Sequence, residues 1–260
     1  SIIHDFSKQS ILVLENFGLT KYAEIITKKN RKKIYRLAVD TIFDIQKISN
    51  PDLSKYSLNM FIEESNLFFD WYLKNLKNNE INVLKKEFKS LFKSYFSCID
   101  IPQVLVHRDF HIDNLFYLSK SNSIKCGLID YQDAVIGPCT YDLVSLTQDA
   151  RIDVPKQLEY DLVNYFLKGN LKIKREDFML SYNLLAIQRH MKVLGIFCRL
   201  SLRDNKDQYL QPLKYLKDEG VVNLNLSYSN LFKVLTIKKD LKKPIVIDIQ
   251  SEGHGMSFPR

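Results

Sequence analysis

The run His107-Arg108-Asp109-Phe110-His111-Ile112-Asp113-Asn114, with Ile129-Asp130-Tyr131 further along, holds Asp109, Asn114 and Asp130 in an order that suits phosphoryl transfer. In an H-x-D-x-x-x-x-N loop the Asp accepts the proton of an attacking hydroxyl, the Asn holds a magnesium ion, and a second Asp beyond the loop holds magnesium as well. Here these are Asp109 as base and Asn114 and Asp130 as metal ligands. Moving a γ-phosphoryl group demands positioning and charge neutralisation more than covalent chemistry, so one base and one metal clamp are enough for the core of a site. H-x-D by itself is an ordinary turn with a satisfied His; the Asn at fixed distance and the later I-D-Y change that reading. Metal-dependent hydrolysis uses similar ligands with an activated water, but it usually recruits more His or carboxylates than this run supplies.

The elements that must position these residues are legible around them. Leu115-Phe116-Tyr117-Leu118 and Ile124-Lys125-Cys126-Gly127-Leu128-Ile129 are short apolar or alternating runs, and the Ser119-Lys120-Ser121-Asn122-Ser123 between them is turn chemistry. An antiparallel hairpin returns the chain to its starting edge, which brings Asn114 and Asp130 side by side. One amide and one carboxylate fit magnesium, which completes its octahedron with waters and substrate phosphates. Elsewhere the chain opens as strand, turn, strand up to Glu15-Asn16-Phe17-Gly18, and then turns helical. Apolar periodicity predicts helices over 33–48, 57–77, 81–97, 141–150, 156–167, 175–200 and 207–219, with the hairpin region at 104–130. Pro244 to Ile249 reads as a strand after a basic stretch, in a tail foreign to the helical body.

A chain of 260 residues with 12% aromatics can bury a full core, as one large domain or as a domain with a small appendage. No apolar run approaches the ~20 residues of a membrane span, and Ser1 to Asp5 lacks a secretory pattern, so a cytoplasmic protein without a membrane partner is expected. Cys98, Cys126, Cys139 and Cys198 are scattered without metal or disulfide spacing. The net charge of +8 is densest at Lys28 to Lys33, which opens a helical stripe; it reads as a solvated helix end rather than a nucleic-acid surface. A mildly positive field does favour an anionic substrate such as a nucleotide. Nothing in the sequence sets the oligomeric state.

With these residues in hand, the chain resembles the aminoglycoside phosphotransferase and choline kinase superfamily. The stretches Gly127 to Pro138, Thr140 to Leu146 and Ala186 to Phe197 resemble, more narrowly, the anomeric sugar kinases of bacterial cell-wall recycling. The resemblance runs from about Ile2 to Leu216. It implies an α+β, protein-kinase-like fold: a mainly helical C-terminal lobe over 19–235, a catalytic β-hairpin, and only the last strands and hinge of the N-terminal lobe in 1–18, with 236–260 a tail of unknown role. It also implies ATP and Mg2+ as cofactors, a nucleotide and a sugar as partners, and phosphorylation of N-acetylmuramate or N-acetylglucosamine at the C1 hydroxyl.

By the same resemblance Leu14, Glu15 and Asn16 lie at the hinge, where backbone groups meet the adenine. His111 either touches the transferring phosphoryl group or only braces the loop. Asp142 braces the catalytic loop. Asp133 either binds sugar hydroxyls or serves a turn. Arg189 either pairs with a lactyl carboxylate or makes a structural salt bridge, and His190 is a further candidate on the acceptor side. The family's Gly-rich loop and phosphate-binding Lys have no counterpart in the sequence. The expectation is therefore a piece of a longer kinase. The alternatives are an inactive, pseudokinase-like binding module and a kinase for another small hydroxylated acceptor of the aminoglycoside or choline type.

Overall fold

The computed structural model describes residues 2–206, apart from residues 7, 9, 50, 51, 75, 76, 121, 122 and 170–172. The helix predicted over 207–219, the strand at 244–249 and the tail 236–260 lie outside the described residues. Strands β1 (Ile2–Phe6) and β2 (Ile11–Leu14) pair antiparallel, with an irregularity between Ile2 and His4. Gly18 then turns the chain with φ of 77°, a conformation that favours glycine, and its N–H bonds to Asn16 Oδ1 at 2.8 Å. A one-turn helix α1 (Tyr22–Ile25) and the long α2 (Arg31–Gln46) follow. Ile34, Tyr35, Ala38, Val39 and Ile42 form the buried stripe of α2, at the spacing of one helical face.

Helix α3 (Leu58–Leu67) begins on Ser57, whose hydroxyl accepts the Met60 N–H, and it does not run straight to residue 77 as the periodicity predicts. It passes into a π-helical turn, Phe68–Tyr72, in which the Leu73 N–H reaches the Phe68 carbonyl. The apolar run Phe68-Phe69-Asp70-Trp71-Tyr72 satisfies a helical stripe whichever way it winds, so periodicity is blind to the change. Helix α4 (Asn78–Phe96) packs Phe88 and Phe92 inward. Phe61 of α3 is fully buried against Tyr56, Phe92, Phe96 and Tyr141, which ties four segments together.

Strand β3 (Gln103–Val106) leads into the candidate loop, and the hairpin β4 (Leu115–Lys120) and β5 (Ser123–Leu128) leads out of it, in register from Leu115↔Leu128 to Lys120↔Ser123. The sequence does not announce β6 (Val135–Pro138), which carries a Gly-Pro end and pairs antiparallel with β3. Helices α5 (Tyr141–Thr147), α6 (Lys156–Gly169) and α7 (Arg175–Asp204) complete the body. Helix α7 runs through the middle, against α3, the π turn, α4 and α5. Gly195 allows that approach: a Cβ there would stand 2.3 Å from the Leu67 carbonyl carbon. No helix among the described residues is long and apolar enough to cross a membrane.

Candidate active site

The start of the segment His107 to Asn114 is held by a buried carboxylate. Asp142, in the first turn of α5, accepts the backbone N–H of His107 at 2.8 Å and of Arg108 at 3.1 Å. Burial pushes its carboxyl up to about 7, against the pull of those two donors and of Arg189. Arg108 has φ of 74°, left-handed for a residue that has a Cβ, and this turn precedes Asp109. Asp109 is half-buried between that turn and the fully buried Phe110. Its carbonyl accepts the Asn114 side-chain amide at 3.0 Å, so Asp109 and Asn114 belong to one closed loop.

Asn114 ends a short 3-10 turn (Ile112–Asn114), and its carbonyl takes the Ile129 N–H at 3.2 Å. The hairpin thus closes as the sequence requires, with Asn114 entering β4 and Asp130 just beyond β5. His107 reinforces the closure: its Nε2 lies 3.0 Å from the Ile129 carbonyl and must be the protonated nitrogen. Asp130 is exposed and left-handed, φ 69°, and one of its oxygens accepts the Gln132 amide at 2.8 Å. Because Nδ2 of Asn114 is engaged with Asp109, Oδ1 is the atom it offers outward. One amide oxygen and one exposed carboxylate are a hard-oxygen pair that suits magnesium. Among the described residues no cluster of three or more His, Cys, Asp or Glu side chains could hold a metal by itself.

Comparison with known proteins agrees with this geometry. A family model described as the phosphotransferase enzyme family, APH, matches residues 6–173. The chain belongs to this phosphotransferase family. A Pseudomonas aeruginosa protein named N-acetylmuramate/N-acetylglucosamine kinase is 32% identical over 215 residues, 78% of this chain and 62% of that one. A protein of the same name from Neisseria meningitidis serogroup B is 29% identical over 221 residues, 80% of this chain and 65% of that one. The chain therefore spans just under two thirds of the length of these relatives. A solved choline/ethanolamine kinase family protein from Mesorhizobium loti shares the fold, with a TM-score of 0.54 at 12% identity over 79% of this chain and 66% of that one. The fold is kinase-like α+β.

The other residues singled out in the sequence fall in different places in the chain. Leu14 ends β2, and Glu15 and Asn16 link it to Phe17, which packs on the hairpin: a Cβ at Gly127 would come within 2.8 Å of the Phe17 ring. Thr20 and Lys21 continue along β4, with the Tyr117 N–H on the Thr20 carbonyl at 2.8 Å. His111 is buried under the loop, its Nε2 3.4 Å from the Asn114 amide, and burial with Arg151 and Arg189 pushes it down to about 2. Burial therefore favours its neutral form. Asp133 is exposed, and its carbonyl accepts from Arg108 Nη1 at 3.2 Å.

Arg189 and His190 are not brought to an open surface. Both are 4% exposed, because α7 is enclosed on nearly all sides. Arg189 Nη1 donates to the Arg108 carbonyl at 3.1 Å; burial works against its charge, but Tyr141, Asp109 and Asp149 outweigh it and hold its pKa above the ordinary value. His190 Nε2 meets Gln148 Oε1 at 3.0 Å, and burial, then Arg189, pushes it down to about 3. Sequence reasoning missed Glu64 and Asp149. Asp149, fully buried, accepts the Ile112 N–H at 3.3 Å and pairs with Arg151. Glu64 pairs with Arg108 and Lys192. A cleft of about 1040 Å³ between α2 and α6 holds none of these residues. Its Lys32 is engaged by Asp161 at 2.7 Å, and Arg36 lies 4.3 Å over the Tyr165 ring.

Proposed function

We propose that this phosphotransferase moves the γ-phosphoryl group of ATP to the anomeric hydroxyl of N-acetylmuramate or N-acetylglucosamine, giving the sugar 1-phosphate. The observation that carries the reading is the 32% identity over 215 residues to a kinase named for these two sugars. The described geometry supports the roles. Asp109 orients the C1 hydroxyl and takes its proton as the bond to phosphorus forms. Among the described residues its carboxylate makes no side-chain hydrogen bond or ion pair, which leaves it open to an acceptor. Asn114 Oδ1 and the Asp130 carboxylate would hold magnesium; when bound, the ion neutralises the charge of the nucleotide phosphates. The backbone of Leu14, Glu15 and Asn16 would meet the adenine. His111 keeps Asn114 in place, and Arg189 steadies the carbonyl of Arg108, one residue before the base.

The test uses the full-length protein with magnesium and ATP, offered N-acetylmuramate, N-acetylglucosamine, an aminoglycoside and choline in parallel. Products are read by phosphorus NMR, which separates an anomeric phosphate from other phosphate esters. Expected is a sugar 1-phosphate from one or both amino sugars. Transfer to the aminoglycoside or choline alone would replace this reading with that of another acceptor class, and ADP formation without any acceptor product would favour a hydrolase.

A further inference from the structure

Glu64, on α3, is the one acidic side chain among the described residues that joins Arg108 and Lys192. It lies 44 residues before the first and 128 before the second. Its Oε1 takes Arg108 Nη2 and Lys192 Nζ, the latter at 3.0 Å, and its Oε2 takes the Tyr56 hydroxyl and the Gln188 amide, the latter at 3.2 Å. The carboxylate and both cations are each less than a fifth exposed. Burial alone would raise the carboxyl's pKa; Lys192, the Tyr56 hydroxyl and Arg108 together bring it below the ordinary value. A buried carboxylate with four donors is a fixed point, because moving it strands charges in a medium that cannot solvate them.

Arg108 carries that fixed point to the site. While one arm of its guanidinium holds Glu64, Nη1 donates to the Asp133 carbonyl at 3.2 Å, in the loop that begins at Asp130. The group also lies 5.0 Å over the Tyr56 ring. A planar fork can bridge two acceptors in fixed directions, which an ammonium cannot. The backbone of Arg108 is pinned as well, its N–H on Asp142 and its carbonyl on Arg189. Arg108 therefore connects the loop that bears Asp109 to the loop that bears Asp130, and Glu64 decides where Arg108 stands.

We infer that Glu64 is a positioning residue: acting through the Arg108 guanidinium, it sets the catalytic loop and the Asp130–Asp133 loop at one fixed separation. The inference rests on Asp109, Asn114 and Asp130 being the site, and not on which sugar is the acceptor. Amide hydrogen exchange, read by mass spectrometry without nucleotide or acceptor, tests it on the wild type, Glu64→Gln and Arg108→Lys. Glu64→Gln keeps the shape but removes the charge. Arg108→Lys keeps a cation for Glu64 but removes the second arm.

In both variants exchange in peptides covering 108–114 and 129–134 should rise tenfold or more together, while α6, remote from Glu64, stays within twofold. In the full-length protein, MgADP affinity should fall five- to tenfold while ADP in EDTA binds as before, because the metal loop has moved and the nucleotide link has not. Uniform faster exchange across all helices would make Glu64 a general stabiliser and overturn the inference. So would unchanged exchange in the two loops, or a rise in the first loop without the second. Failure to phosphorylate either amino sugar would count against the acceptor assignment and leave the exchange result standing.

Discussion

Replacing His190 by Gln should remove a defined part of the acid sensitivity of this fold. The ring is fully enclosed in α7 and neutral: burial, then the Arg189 charge, pushes its pKa from 6.5 down to about 3. In the unfolded chain the imidazole has its ordinary value, so below pH 6.5 the unfolded state binds a proton that the folded state refuses. Stability is therefore lost as pH falls from 6.5 towards 3, at about 1.4 kcal/mol per unit. At pH 5 that amounts to about 2 kcal/mol from His190 alone, a large share of the ~5–15 kcal/mol typical of a domain. Asp142 acts in the opposite sense over part of the range: burial pushes it up to about 7, so the folded state takes its proton first and gains stability as pH falls. The parent curve is thus a difference, and the substitution isolates one component. Urea unfolding of both proteins at pH 7.5, 6 and 5 gives the measurement. The Gln amide can still reach Gln148 Oε1, and the variant should lose about 2 kcal/mol less than the parent between pH 7.5 and 5. Equal losses would mean that the ring takes up its proton in the folded state, and the enclosed, neutral His190 described above would be wrong.

Asp109→Asn in the full-length protein should lower turnover by a factor on the order of 10² to 10⁴, with nucleotide affinity nearly unchanged; turnover equal to wild type would remove Asp109 as the base. Asp130→Ala should depress turnover and raise the magnesium concentration needed for half activation, and Asn114→Ala should do so more weakly because an amide carries no charge. A magnesium titration that superimposes all three proteins is the adverse result. Gly195→Ala should destabilise the fold by about 1–3 kcal/mol or more, since its Cβ meets backbone rather than a movable side chain; calorimetric unfolding checks this.

What could be read from the sequence was what is local. His107 to Asn114, the hairpin of β4 and β5, and Asp130 lie within one stretch of chain, and period-2 alternation with turn residues is enough to fold it back. The bracing role of Asp142 came from resemblance, and its two backbone bonds are there. Glu64 was invisible for the opposite reason: its partners come from distant helix and loop positions, and inside α3 it looks like any solvated acid beside Glu63. The pairing of β3 with β6 joins strands of four residues each across the whole hairpin, a long-range choice without a local mark. Arg189 and His190 were placed on the right helix, but helical periodicity does not say that α7 is covered all round. Gly195 explains itself only once Leu67 is beside it.

The two left-handed residues of the site, Arg108 and Asp130, face opposite bargains between backbone and side chain. Asp tolerates that region better than most residues because its short polar side chain can bond locally, so at Asp130 the turn and the proposed magnesium ask for the same kind of residue. One residue type satisfies both. At Arg108 the two requirements conflict: the turn would be easiest for glycine, whereas the bridge between the loops needs a long planar cation. A glycine there would relax the chain and disconnect it, so the arginine stands against a local preference of about a kilocalorie or two per mole. Such a position is informative in a distant relative: if the backbone turn is kept but the arginine is not, some other group must hold the two loops together.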